Sequence, residues 1–258
     1  MAATAILLVV AGAATYRFLA YRGQWLETAN AVIQGPVYAI SSPLPGMVRS
    51  IAVEENQRVD RGAVLARLDP AVQELAVRRA RAAVAAQALV VSALTTPGRR
   101  GMEWEAARAR QAELELVLEE AELMYQKTTI LAPSSGYVAH RQVEPGEYVL
   151  PGQPLLAIVD LDRLWVVANF TEAQVTGIRP GQTVEVRVDA FPDRVMRARV
   201  ESIMAASGSV FALFPPDASA GNWVRVAARI PVRVILEEGA AAGIPLRVGM
   251  LARVRIRR

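Results

Sequence analysis

The sequence predicts a mainly β protein in which one small β domain is split by an α-helical hairpin, with an N-terminal transmembrane helix before it and a β-barrel region after it. Three observations lead there. The stretch from Pro43 to Leu68 recurs without a gap ninety residues later: Pro43, Gly46, Val48, Val53, Val59, Gly62 and Leu65 return as Pro133, Gly136, Val138, Val143, Val149, Gly152 and Leu155, and Leu68 is answered by Ile158. Between the copies lies a segment rich in Ala, Glu and Arg, which is helix-forming composition. After the second copy, apolar and charged residues alternate in short runs to Arg258. A β unit cut in half by a hairpin is the plan of a spacer or connector more than of an enzyme.

Residues Ala2 to Ala14 are all small, apolar or Thr, and the run extends through Phe18, Leu19 and Ala20 if Arg17 snorkels to the interface. That gives about 19 residues, barely a span at ~1.5 Å per residue. A signal peptide is the competing reading, because Ala11-Gly12-Ala13 resembles a small-residue cleavage site. No Lys or Arg precedes the run and Arg17 and Arg22 follow it, so loop charge does not settle the orientation. The expectation is an uncleaved anchor over residues 1–24.

Glu27 to Ile40 reads as an opening strand broken by Gly35-Pro36. The first half-unit, Ser42 to Asp69, holds short apolar strands separated by Pro45-Gly46 and Arg61-Gly62, and Gly46, Gly62, Gly136 and Gly152 are the expected structural turn glycines. Asp69-Pro70 starts a helix, with Asp as N-cap and Pro at the first helical position, where its missing N–H would be unpaired anyway.

From Ala71 to Leu94 there is neither Gly nor Pro. Val77, Val84 and Val91 recur every seven residues, and Leu75, Ala82 and Leu89 do so on the other side. Two stripes suggest one contact inside the hairpin and one to a neighbour; an Ala-rich helix with scattered valines is the plainer alternative. Thr95-Thr96-Pro97-Gly98 ends the helix. A second helix, about Met102 to Gln126, carries Trp104, Ala107, Gln111, Leu114, Leu118, Ala121 and Tyr125 at alternating a and d positions. Glu103 and Glu105 open it and Lys127 closes it, as the helix dipole favours. Two such helices make a rod of about 38 Å, a reach and not a pocket.

The second half-unit runs from Ile130 to Asp160. Beyond it, Val184, Val186 and Val188 alternate with Glu185 and Arg187, and Leu251 to Arg257 alternates equally well, which marks strands with one buried face. Small β-barrels are the natural home for such strands.

Composition removes several functions. The formal charge is +4 and the sequence pI about 9.8, but no basic stripe is interleaved with aromatics, so nucleic acid is not an expected partner. Cysteine is absent, which excludes disulfides, thiolate metal sites, cysteine nucleophiles and a lipidated cysteine anchor. His140 is the only histidine and falls within the repeated unit, where the first copy has Ser50. There is no phosphate-cradling Gly/Lys loop, and Met196 and Met204 read as barrel core or exposed singles, so neither a cofactor nor a metal is expected.

The P-x-x-G-x-V...V...V-x-x-G-x-x-L half-motifs resemble the halves of a lipoyl/biotinyl domain. A domain of that kind split by a hairpin is similar to the HlyD-type membrane fusion proteins, the periplasmic adaptors of bacterial efflux and secretion pumps. Thr28 to Gly35, Leu164 to Glu172, Gly208 to Pro216, and the run from Gly221 to Val226 and Arg229 to Val234 resemble the EmrA-like branch. The resemblance implies residues 1–24 as anchor, 28–69 and 128–162 as a split lipoyl/biotinyl-like domain, 70–127 as helical hairpin, and 163–258 as β-barrel and membrane-proximal region. It further implies single-pass insertion in the bacterial inner membrane with the bulk of the chain in the periplasm, and self-association as trimer or hexamer. The implied partners are an inner-membrane transporter, of major-facilitator type in this branch, and a TolC-like outer-membrane channel.

Two features depart from the family pattern. The hairpin is short for this branch. Many adaptors carry R-x-x-x-L-x-x-x-x-x-x-S near the hairpin tip for channel docking; Arg81 and Ser92 have that spacing while the central position is Ala85. Arg81, Ser92, Pro97 and Gly98 are the candidate docking residues. An acyl or carboxyl carrier is disfavoured, since such domains present a lysine at the turn between their halves and here Leu68-Asp69-Pro70-Ala71 opens a helix. Arginine cannot substitute, its guanidinium being too weak a nucleophile at neutral pH. The remaining alternative is a structural periplasmic envelope protein without a transport role.

Overall fold

The computed structural model describes residues 25–95, 101–205 and 229–258. The expected anchor, Pro97 and Gly98, and the motifs at 208–216 and 221–226 lie outside the described residues. Two compact units are present: one spans Val37–Asp160, and the other joins Met1–Pro36 to Leu161–Arg258.

The first strand among the described residues, β1 (Trp25–Gln34), belongs to the second unit. The first unit contains β2 (Val37–Ser41), β3 (Gly46–Ile51), β4 (Arg58–Val59), β5 (Val64–Leu68), helices α1 (Ala71–Leu94) and α2 (Met102–Gln126), then β6 (Thr129–Leu131), β7 (Gly136–Arg141), β8 (Tyr148–Val149) and β9 (Pro154–Val159). Its two sheets run in the orders β2-β9-β7-β4 and β6-β5-β3-β8. Adding ninety to the residue numbers turns β2, β3, β4 and β5 into β6, β7, β8 and β9, so each sheet is the other's copy with the halves exchanged.

The equivalence reaches single bonds. Ala52 N donates to Leu65 O at 2.8 Å as Gln142 N does to Leu155 O at 2.8 Å, and Asn56 N donates to Val138 O at 2.7 Å as Gly146 N does to Val48 O at 2.7 Å. Asn56, the one non-glycine with positive φ among the described residues, is the counterpart of Gly146, also at positive φ. Because β2 pairs with β9 and β4 with β7, and β5 with β6 and β3 with β8, each sheet is built of two strands from each half. Matched apolar residues, Val48 and Val138, Leu65 and Leu155, Leu68 and Ile158, are buried together in one core. Neither half can bury that surface alone.

Two of the four expected turn glycines are in turns: Gly62 and Gly152 have φ of 84° and 82°. Gly46 and Gly136 instead open β3 and β7, without positive φ. At the helix start, Asp69 Oδ1 accepts from Ala71 N–H at 3.1 Å and Pro70 O accepts from Glu74 N–H at 2.7 Å. The expected N-cap is therefore corrected by one residue: Pro70 is the N-cap, and Asp69 stands just before it with its carboxylate on the first helical N–H.

The second unit adds β10 (Trp165–Thr171), the single turn α3 (Glu172–Val175), β11 (Thr183–Val188), β12 (Val195–Ile203), β13 (Arg229–Leu236) and β14 (Leu251–Arg257). They close a barrel in the order β1-β10-β13-β12-β11-β14. Alternation does the work: Val184, Val186 and Val188 point inward with Met196, Val254 and Ile256, while their neighbours face out. Full closure leaves no strand edge open.

Here the sequence-based boundary at residue 28 is corrected. Ala31 and Ile33 point into the barrel core, and β1 pairs with both β10 and β14, so residues 28–34 are the strand that shuts the barrel. Gly35-Pro36 is the passage from one unit to the other, not a break within one strand.

Candidate assembly and docking surfaces of the hairpin

The two helices meet along the expected seam as far as Ala121, while Tyr125, its last expected member, is 42% exposed. Val77, Ala80 and Ala107 are buried, and Val84, Trp104, Gln111, Leu114, Leu118 and Ala121 are half-buried around them. Gln87 Nε2 donates to Ala107 O at 3.0 Å, which ties the helices by a polar bond inside the seam. Small residues at the centre let the helices approach, as Ala does in any close helix contact.

The outward sides carry a second pattern. Leu75, Ala82 and Leu89 stand two residues from the Val77, Val84, Val91 row, about 200° round α1 and therefore opposite α2. Leu75 and Leu89 are 41% and 71% exposed. On α2 the corresponding outer row is Met102, Ala109, Leu116 and Leu123, also seven apart and exposed. The α1 row was legible in the sequence. The α2 row is a signal the sequence analysis missed, although its seven-residue spacing is the same signal.

Arg81 lies within α1 and forms an ion pair with Glu122 of α2, 2.7 Å from Nη2 to Oε1. Its guanidinium is thus engaged within the hairpin, near the root end of α2. Ser92 is exposed in the last turn of α1, its Oγ donating to Leu89 O at 2.7 Å, and Thr95 Oγ1 donates to Val91 O at 2.6 Å. Arg81 and Ser92, eleven positions apart, are separated by about 16 Å along the axis. The structure does not bring them together.

At the other end, Thr128 is buried and its Oγ1 donates to Tyr125 O at 2.7 Å, closing α2 where the chain returns to β6. Lys127 sits at the α2 C-cap, and the turn Leu68-Asp69-Pro70-Ala71 is strand end and helix start. In the first unit, Glu55 Oε1 accepts from Arg141 N–H at 2.9 Å and lies 3.3 Å from His140 Nδ1. The backbone bond first, then His140, holds the Glu55 carboxyl below its usual value.

The barrel exterior carries a cross-strand charge row that sequence reading missed. Arg197, Glu185, Arg255 and Glu27 are successive register partners across β12, β11, β14 and β1. Arg255 also lies over the Trp25 ring at 5.0 Å, as Arg233 lies over Trp165 at 4.1 Å. Which charges face each other depends on register, which alternation alone does not fix.

Residues 37–161 match the family model of the barrel-sandwich hybrid domain of RND membrane fusion proteins, and residues 163–208 match the CusB-like β-barrel domain. The fatty acid resistance protein FarA of Neisseria gonorrhoeae is 36% identical over 191 residues, which is 71% of this chain and 48% of that protein. The multidrug export protein EmrA of Escherichia coli K12 is 37% identical over 135 residues, 52% of this chain and 35% of that protein. The matched region therefore spans about half, or less, of these relatives' length. Among solved structures, a MacA-MexA chimeric protein containing the Pseudomonas aeruginosa MexA α-hairpin domain aligns with a TM-score of 0.74 at 21% identity, covering 91% of this chain and 79% of the other. That likeness is one of fold.

Proposed function

We propose that this chain, which belongs to the membrane fusion protein family in its EmrA-like branch, is the periplasmic adaptor of a bacterial export pump for small molecules. It links an inner-membrane transporter, of the major-facilitator type, to a TolC-like outer-membrane channel. Residues 1–24 anchor it in the inner membrane, the units from Glu27 onward stand in the periplasm, and copies assemble side by side as a trimer or hexamer.

The observation that supports this best is the hairpin, a β-sandwich insertion with an apolar seven-residue row on each outer edge. A lone hairpin needs only its inner seam. Rows on both outer edges fit a head-to-tail series of copies, the α1 edge of one against the α2 edge of the next, which closes into a ring. The hairpin tip, with Ser92, Pro97 and Gly98, is then the end offered to the channel, and Arg81 is the docking candidate nearer the root.

Absence of cysteine makes the arrangement testable by paired substitution. Ala82→Cys combined with Leu116→Cys, which stand at the same level of the hairpin, should cross-link between copies in intact cells under oxidation, and the tagged chain should co-purify with a polytopic transporter. Cells lacking the chain should also become more sensitive to compounds the pump exports. Unchanged sensitivity together with no co-purifying transporter would leave the structural-protein reading in its place.

A further inference from the structure

At the hairpin root, a cavity of about 370 Å³ is lined by Arg49, Ser50, Arg67, Leu68, Pro70, Tyr125, Thr128 and Thr129. Its make-up is one-sided. Two guanidiniums and several hydroxyl groups line it, and no carboxylate does. Asp69, next in the chain to Leu68, turns its Oδ1 to the Ala71 N–H.

The backbone places these groups side by side. Ser50 on β3 is the register partner of Arg67 on β5, and Arg67 is the register partner of Thr129 on β6, so the three form one row across the sheet. A register shift between Val48 and Ser50 makes Arg49 an extra residue in β3, and Arg49 and Ser50 are both exposed in succession. The bulge thus brings a second arginine beside the row. Tyr125, in the last turn of α2, lines the same cavity, and Leu68 and Pro70 supply apolar wall.

The pseudo-symmetric half shows that the fold does not need these arginines. The same bulge recurs between Val138 and His140, where Arg49 is replaced by Ala139. Arg67 is replaced by Ala157, Thr129 by Ala39, and Thr128 by Tyr38. With equal register and equal bulge, one half builds an arginine-lined cavity and the other does not. Two cations sharing a cavity without an acid repel each other, a cost that an anion between them removes.

We infer that this cavity binds a small organic anion, a carboxylate or phosphate held by Arg49 and Arg67, with a flat apolar body set against Tyr125, Leu68 and Pro70. Its volume falls in the range of sites for small molecules, roughly 300 to 1,000 Å³. Paired guanidiniums recognise a planar two-oxygen acid better than a neutral group of the same shape.

The test is calorimetric titration of the full chain in detergent at constant ionic strength, with sodium benzoate, inorganic phosphate and benzyl alcohol as probes. Benzoate should bind one per chain, phosphate more weakly, and benzyl alcohol not at all. The double variant Arg49→Ala, Arg67→Ala copies the residues of the other half, so it should fold with an unchanged melt while losing benzoate affinity at least tenfold. Arg79→Ala, on α1 outside the cavity, should bind as the parent does. Equal benzoate affinity in the double variant, or no benzoate binding by the parent, overturns the site; benzyl alcohol binding as tightly as benzoate overturns the anion, and phosphate binding as tightly overturns the apolar wall.

Discussion

Gly62 and Gly152, ninety residues apart, turn the chain with nearly the same positive φ, 84° and 82°, and a Cβ added at either would meet nothing within 4 Å. The strain of a substitution there is purely backbone strain. Gly62→Val and Gly152→Val should therefore each cost on the order of 1 kcal/mol or more, and by similar amounts. Chemical denaturation of the two variants checks this. A severe effect at one site beside a silent one at the other would contradict the equivalence of the halves.

The other matched pair should respond unequally. A Cβ on Gly136 would come 2.6 Å from Val159 O, whereas one on Gly46 would meet Leu68 Cβ at an ordinary 3.8 Å. The counterpart of Val159 is Asp69, which leaves its strand to begin the helix, so the close approach is lost at Gly46. Gly136→Ala should destabilise by about 1 to 3 kcal/mol, the range for overpacking, and Gly46→Ala by well under 1 kcal/mol. Equal losses in paired melts would refute that account.

Glu55 gives a pH dependence of defined sign. Its folded-state carboxyl titrates below the ordinary value of 4.5, chiefly through the Arg141 N–H and then His140. A depressed carboxylate stabilises the fold fully above the unfolded value, and that contribution is lost as pH falls through the folded one. The melting difference between parent and Glu55→Gln should be present at about pH 5.5 and shrink in more acid solution. A difference that grew on acidification would reverse the assignment.

Arg81 separates two roles. Its pair with Glu122 is solvent-exposed, so Arg81→Ala and Glu122→Ala should each lower stability by no more than about 1 kcal/mol. If Arg81 also docks a channel, export should fall in Arg81→Ala while Glu122→Ala exports normally. Equal export in both variants assigns Arg81 to the hairpin alone.

What the sequence made visible was periodicity: the ninety-residue repeat, the seam from Trp104 to Ala121 and the alternation of β11 and β14. These are local patterns that burial imposes directly. Partnership across distance was hidden. Nothing in Trp25 to Gln34 says that it closes a barrel with β14, more than two hundred residues on, because an alternating strand fits any sheet with one dry face. Likewise Arg49 and Arg67 read as scattered surface arginines until register and bulge set them around one cavity.

The hairpin should be separable from the domain it interrupts. Leu68 N donates to Thr128 O at 2.8 Å and Arg67 is the register partner of Thr129, so the strands entering and leaving the hairpin are bonded neighbours. Replacing Ala71 to Gln126 with a short Gly/Ser linker then spans adjacent ends, and a shorter loop costs no more entropy to close than the present one. The core formed by Val48, Leu65, Val138 and Leu155 contains none of the deleted residues. Hydrogen exchange of the full-length deletion variant should show β7 and β9 amides protected as in the parent, while export in cells vanishes. Loss of that protection would refute the split-domain architecture, and continued export would refute the bridging role of the hairpin.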